Sequence, residues 1–139
     1  MQKITPQRKV IFVNLAVKSL NRAVKFFTKV GFMFDKEFTN ENGATLIIGK
    51  DSKVVLLDEK FFKALIPGKR LIDARKNAET LLGISASSRK EVDDVIEKVI
   101  KAGGSEYRQV QENGRMYGRA FQDLDGHVWG VLYIIPQKK

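Results

Sequence analysis

The stretch from Gly114 to Ile135, GRMYGRAFQDLDGHVWGVLYII, constrains the fold more than any other part of the chain. Two apolar-rich runs flank Asp123-Leu124-Asp125-Gly126. Asp bonds its own backbone and Gly tolerates positive φ, so these four residues read as a turn. After it, Trp129, Val131, Tyr133 and Ile135 alternate with Val128, Gly130, Leu132 and Ile134. That is the period of a strand. Neither set is polar, so the predicted hairpin is covered on both faces. Gly130 is the gap in it: a glycine inside a strand often marks close approach of a ligand or another backbone.

The rest of the chain supplies two similar halves. A strand is predicted over 10–17, with Ile11, Val13 and Leu15 on one side and Phe12, Asn14 and Ala16 on the other. Ser19 is a helix N-cap. Leu20, Ala23, Val24, Phe27 and Val30 follow at helical spacing, and Gly31 stops the helix. Strands are predicted over 32–38, 44–49 and 53–58, then a short helix over 59–66 that Pro67-Gly68 ends. The basic segment to residue 78 is a linker or a mobile flap, and loop-length expectations favour the linker. The order then repeats. A strand over 79–86 precedes a capping box, Ser88 to Glu91. Val92, Val95, Ile96, Val99 and Ile100 form one helix face, and Gly103-Gly104 ends it. A strand over 105–111 leads through the turn 112–114 into the hairpin.

The repeat lies in element order, not residue identity. Asn14 matches Ser85 at 71 residues, and Leu56 matches Gly130 at 74. The expected fold is α+β: a single domain over 1–139, in which βαβββ modules 10–59 and 79–135 are joined by a linker, 60–78. Together they would make a mostly antiparallel, eight-stranded, cup-shaped sheet with helices on its outer face.

Composition removes several function classes. The chain has no cysteine, which excludes disulfides, thiolate metal sites and a Cys nucleophile. No apolar run reaches the length of a membrane span. The N-terminus MQKITPQRKV lacks the apolar centre of a signal peptide. A soluble cytoplasmic protein with no membrane partner is expected. The net charge of +9, from 25 basic and 16 acidic side chains, favours anionic partners. The basic residues are scattered (Lys3, Arg8 and Lys9, Lys50 and Lys53, Lys69 and Arg70, Arg75 and Lys76, Lys138 and Lys139). They form no stripe, so a solvated basic surface is favoured over nucleic-acid binding.

Three segments in this order resemble the vicinal oxygen chelate superfamily, the glyoxalase/bleomycin-resistance/extradiol-dioxygenase fold. They are VNLAVKSLNRAVKFFTKVGF, SASSRKEVDDVIEKVIKAGG and FQDLDGHVWGVLY. The resemblance spans about Val10 to Ile135. It implies a divalent metal at the cup floor, held by His and Glu from four strands. Carried over by position, those ligands fall at Phe12, near Leu56, near Leu81, and at Gly130. None has a coordinating side chain. A one-residue slip brings in Asn14 or Leu57, which changes nothing. Asp58 is the nearest carboxylate. The chain has a single histidine, His127. No metal and no cofactor are therefore expected.

The expected ligand-binding residues are Phe12, Asn14, Leu56, Met116, Gly118, Ala120, Gln122, Gly130 and Leu132. They give an apolar pocket with a few amide groups. A bulge would swap in Tyr117, Arg119 and Phe121 instead. Arg119 either fixes an anionic ligand or pairs with a surface carboxylate, the latter favoured. His127 is read as a turn-edge histidine bonding backbone, and Asp123 and Asp125 as turn aspartates. No catalytic residue is identified. The expected function is sequestration of a small organic ligand, anionic by charge. Bleomycin fits poorly, being cationic. The alternatives are a glyoxalase- or dioxygenase-type enzyme with non-standard ligands or metal-free acid–base chemistry, and a polyanion or nucleic-acid binder. A homodimer is implied by the resemblance alone.

Overall fold

The computed structural model describes residues 9–138. Lys3, Arg8, Lys139 and most of the N-terminal segment weighed as a signal sequence lie outside the described residues. The elements are β1 (Ile11–Val17), α1 (Leu20–Val30), β2 (Met33–Asp35), β3 (Gly43–Ile47), β4 (Ser52–Asp58) and α2 (Glu59–Leu65). They continue with β5 (Leu81–Ser85), α3 (Arg89–Lys101), β6 (Ser105–Glu106), β7 (Gln111–Glu112), β8 (Met116–Gln122) and β9 (Val128–Ile134).

Local chemistry sets the helices. Ser19 Oγ accepts the Arg22 N–H at the start of α1, and Ser88 Oγ accepts the Glu91 N–H at the start of α3. Glu91 returns its carboxylate to the N–H and hydroxyl of Ser87, one residue before the cap. Asp58 caps α2 through the Phe61 N–H.

The strands form two mixed sheets. The first has the order β1-β4-β3-β2, the second β5-β9-β8-β6, with β7 also on β8. In each, the module's first strand runs parallel to its last, β1 on β4 and β5 on β9; the other pairs are antiparallel. The α+β class and the repeated module are as expected. The single eight-stranded sheet is not: β1 and β5 are both edge strands and do not pair with each other. The predicted strand over 32–38 shortens to three residues followed by a 3-10 turn, Lys36–Phe38. That over 105–111 breaks into β6 and β7.

One apolar core lies between the sheets, on their helix sides. It joins Leu15, Val17, Leu46, Val54 and Leu56 to Phe26, Phe27, Val92, Ile96, Val99, Phe121, Trp129 and Val131. Trp129 stacks on Phe121 at 5.8 Å and meets Phe27 at 5.3 Å, so an α1 ring from one module packs on a β9 ring from the other. Such aromatic contacts add to the area that they bury.

Leu56 belongs to this core and is fully buried; it does not line the cup as expected. The two helix caps, Ser19 and Ser88, give the true correspondence of the modules. Asn14 then matches Gly83, not Ser85. Asn14 pairs with Val55 and Gly83 with Gly130, so Val55, not Leu56, matches Gly130. A one-residue slip of register moves a strand's side chains to the opposite face.

Candidate functional site

Strand alternation assigns the faces turned away from the helices. On the first sheet this face carries Phe12, Asn14, Ala16, Val55 and Leu57, with Lys53 and Asp35. On the second it carries Leu81, Gly83, Ser85, Val128, Gly130, Leu132, Met116, Gly118, Ala120 and Gln122. Both faces hold exposed apolar groups: Phe12 is 51% accessible and Leu81 64%.

Six of the nine expected ligand residues come together. Met116, Gly118, Ala120, Gln122, Gly130 and Leu132 share the outer face of β8 and β9, with Ala120 beside Gly130 and Gly118 beside Leu132. Phe12 and Asn14 lie on the first sheet, apart from them. Leu56 lies on neither outer face. The bulge that would have put Tyr117, Arg119 and Phe121 outward does not occur, since β8 and β9 pair without interruption.

The glycines differ in what they leave open. A Cβ on Gly118 would lie 2.6 Å from Leu132 Cδ2, so a neighbouring side chain already fills that space. Gly130 stands in a row, Gly83–Gly130–Ala120, across three adjacent strands. A Cβ on Gly130 would lie 3.7 Å from Nη2 of Arg108. The gap that the sequence marks therefore seats a guanidinium. Arg108 comes from the break between β6 and β7, and the reading of 105–111 as one strand concealed it. Its only polar side-chain contact among the described residues is Gln111 Oε1, at the outer limit of 3.5 Å.

Arg119 lies on the helix side of the same sheet. It binds both Glu106 oxygens at 2.8 Å and Asp93 at 2.8 Å, as its pairing reading expects. Tyr117 donates to Asp93 at 2.6 Å. The Tyr117 and Arg119 hydrogen bonds hold the Asp93 carboxyl below its ordinary range, and the Arg119 hydrogen bond does the same for Glu106.

The 123–127 turn joins the modules. Asp123 accepts the N–H groups of Asp125 and His127, and the Trp129 indole N–H. Burial pushes its carboxyl pKa up, against these donors and the nearby His127. Asp125 accepts the Lys18 N–H, and His127 Nε2 lies 2.7 Å from Ala16 O. The turn-edge readings of His127, Asp123 and Asp125 fit; the His127 bond also reaches across to the first module. Gly126 has φ +93°, and a Cβ there would lie 2.7 Å from the Arg75 backbone. Arg75 also donates to Leu124 O. The 67–78 segment is thereby docked on the turn. It borders a cleft of about 930 Å³ with Asn14, Phe62, Leu71, Ile72 and His127. Lys18, Lys63, Lys69 and Arg70 there are balanced by Glu59, Asp73, Glu79 and Asp125, so the cleft has no evident charge preference.

The residues present do not fit the metal that the fold family implies. In the corrected register its four positions are Phe12, Val55, Leu81 and Gly130, none with a donor side chain. Asp58 is turned to the helix side, where it caps α2. Among the described residues, no three His, Asp or Glu side chains converge on a point where they could hold an ion. Among the same residues, no helix is long and apolar enough to cross a membrane.

No family model matches the chain, and no curated protein does. Solved structures do. A hypothetical protein from S. aureus is 25% identical, with a TM-score of 0.75, covering 88% of this chain and 91% of its own. A glyoxalase-related enzyme from Fulvimarina pelagi is 17% identical, with a TM-score of 0.76 and coverage of 91% and 88%. A glyoxalase/bleomycin resistance protein/dioxygenase family enzyme from Burkholderia phytofirmans PsJN is 18% identical, with a TM-score of 0.71 and coverage of 89% and 97%. The paired modules, the mixed sheets and these likenesses together give the chain the fold of the glyoxalase/bleomycin resistance/dioxygenase proteins, the vicinal oxygen chelate superfamily.

Proposed function

We propose that this protein binds a small organic molecule on the outer face of β5, β9 and β8 without a metal, and acts by sequestration. The observation that carries this reading is the floor of that face. Gly130 puts no donor side chain at the inherited position, and its neighbours in the row, Gly83 and Ala120, are also small. Leu81, Met116 and Leu132 border the row with apolar surface, and Gln122 and Ser85 add neutral polar groups. Apolar walls with few polar groups are the usual composition of a small-molecule site.

In this reading a second copy completes the cup. Among the described residues the edge strands β1 and β5 have a strand neighbour on one side only, and Ile11, Phe12 and Leu81 on them are 61%, 51% and 64% accessible. Exposed apolar edges are otherwise a liability. Sedimentation is expected to give a dimer that Leu81→Glu dissociates.

The test of the binding reading is metal analysis of the purified protein, with thermal melts across divalent ions and a chelator. The expected result is no stoichiometric metal and no chelator response. Stoichiometric metal, or a melting temperature that falls with chelator, overturns the proposal.

A further inference from the structure

We infer that Arg108 anchors an oxyanion, so that the ligand is a small organic carboxylate or phosphate ester with an apolar body. This rests on the small-molecule reading and names its ligand class.

Arg108 is partly buried, yet it forms no ion pair among the described residues. Its one polar partner is an amide oxygen at 3.5 Å. Taking a guanidinium even partly out of water costs free energy, and a contact of that length returns little. Three carboxylates of this module, Glu106, Glu112 and Asp93, are on the other face. Glu106 and Glu112 pair in register with Phe121 and Tyr117 on the helix side, and Asp93 is engaged there by Arg119 and Tyr117. The strand residues of the outer face include no Asp or Glu. The partner that would match this cation has to come from outside the sheet.

The seat is shaped for such a partner. The guanidinium lies beside Gly130, whose partners on the adjacent strands are Gly83 and Ala120. The small row leaves room for the guanidinium to lie on the sheet, where it is partly accessible to an approaching group. Five N–H donors in a fixed plane match a carboxylate or phosphate by paired hydrogen bonds. Leu81, Met116 and Leu132 would contact the apolar remainder. The equivalent face of the first sheet offers no such anchor. Its cation, Lys53, is already paired with Asp35 at 3.2 Å and lies over the Phe12 and Phe38 rings.

The experiment is calorimetric titration of the full chain with benzoate, phenyl phosphate and the neutral benzamide. It is repeated on Arg108→Gln and on Gly130→Val, which keeps the charge but fills its seat; a melt verifies folding. At least one of the two anions is expected to bind about tenfold or more tighter than benzamide, the scale of one charge-assisted hydrogen bond. Which anion leads distinguishes the two headgroups. Both variants are expected to abolish the preference for the anions over benzamide, and Arg108→Gln to leave benzamide unchanged. Equal binding of all three compounds, or an anion preference that survives Arg108→Gln, overturns the role of Arg108 while leaving the small-molecule reading standing. Binding of none overturns both.

Discussion

Arg119 and Arg108 occupy opposite faces of one sheet and have opposite surroundings. Arg119 is 19% accessible and meets three carboxylate oxygens from α3 and β6. Arg108 lies over Gly130 with one distant amide oxygen. A saturated guanidinium fastens elements together: Asp93 and Glu106 tie α3 and β6 to β8. An unsaturated one has bonding capacity left for a ligand. The same residue type is thus structural on one face and available on the other, and the positions of the carboxylates make the difference.

The strongest test of the face assignment compares adjacent residues of β4. Leu56→Ala is expected to cost about 2–5 kcal/mol, the range for deleting a buried leucine side chain. Val55→Ala, on the outer face, is expected to cost about 1 kcal/mol or less. Urea unfolding measures both. Equal losses would break the assignment of faces.

The arginines come next. Arg119→Gln is expected to cost about 1–3 kcal/mol, since it removes the donor to Glu106 and leaves Asp93 with the Tyr117 hydroxyl alone. Arg108→Gln is expected to change stability by less than about 0.5 kcal/mol in the unliganded protein. A large loss at Arg108 would show a structural partner and remove the contrast.

Acid unfolding sharpens the comparison further. The folded pKa values of Asp93 and Glu106 lie below the ordinary 3.8 and 4.5. Their contribution is therefore present above those values and is lost as pH falls through the depressed ones. Asp123, raised by burial, has the opposite sign, and its contribution is lost as pH rises past 3.8 towards its folded value. Arg119→Gln is expected to flatten the acid limb of stability against pH, and Arg108→Gln to leave it unchanged. Melts from neutral pH to pH 2 read this out.

A small effect is also expected at Lys53. Asp35→Asn removes its partner and should cost less than about 1 kcal/mol in urea unfolding, as for partly exposed pairs.

What was legible in the sequence follows from the same geometry. The β8–β9 hairpin could be read because Gly118, Ala120 and Gly130 punctuate its outer face while Phe121, Trp129 and Val131 fill the other. The helices could be read from their caps and apolar spacing. β4 could not, because Val54-Val55-Leu56-Leu57 is apolar throughout and offers no alternation to fix its faces. The apolar run alone therefore does not separate Leu56 from the cup-facing Val55. The two edge strands were equally hidden, since element order does not say whether β1 and β5 pair. Arg108 left no local signal. Its place depends on a break in pairing between residues 106 and 111 and on a contact with Gly130 on another strand. Only the Gly130 gap hinted that something would approach there.

The contrast between the two arginines points to a metal-independent anion site on the outer face of the second sheet. The most direct measurement is an amide chemical-shift map of the protein titrated with benzoate, with and without a chelator. Shifts centred on Gly83, Arg108, Ala120 and Gly130 are expected, unchanged by the chelator, with Asp93 and Glu106 undisturbed. Shifts centred on the cleft beside residues 67–78, or shifts that vanish with the chelator, would contradict it.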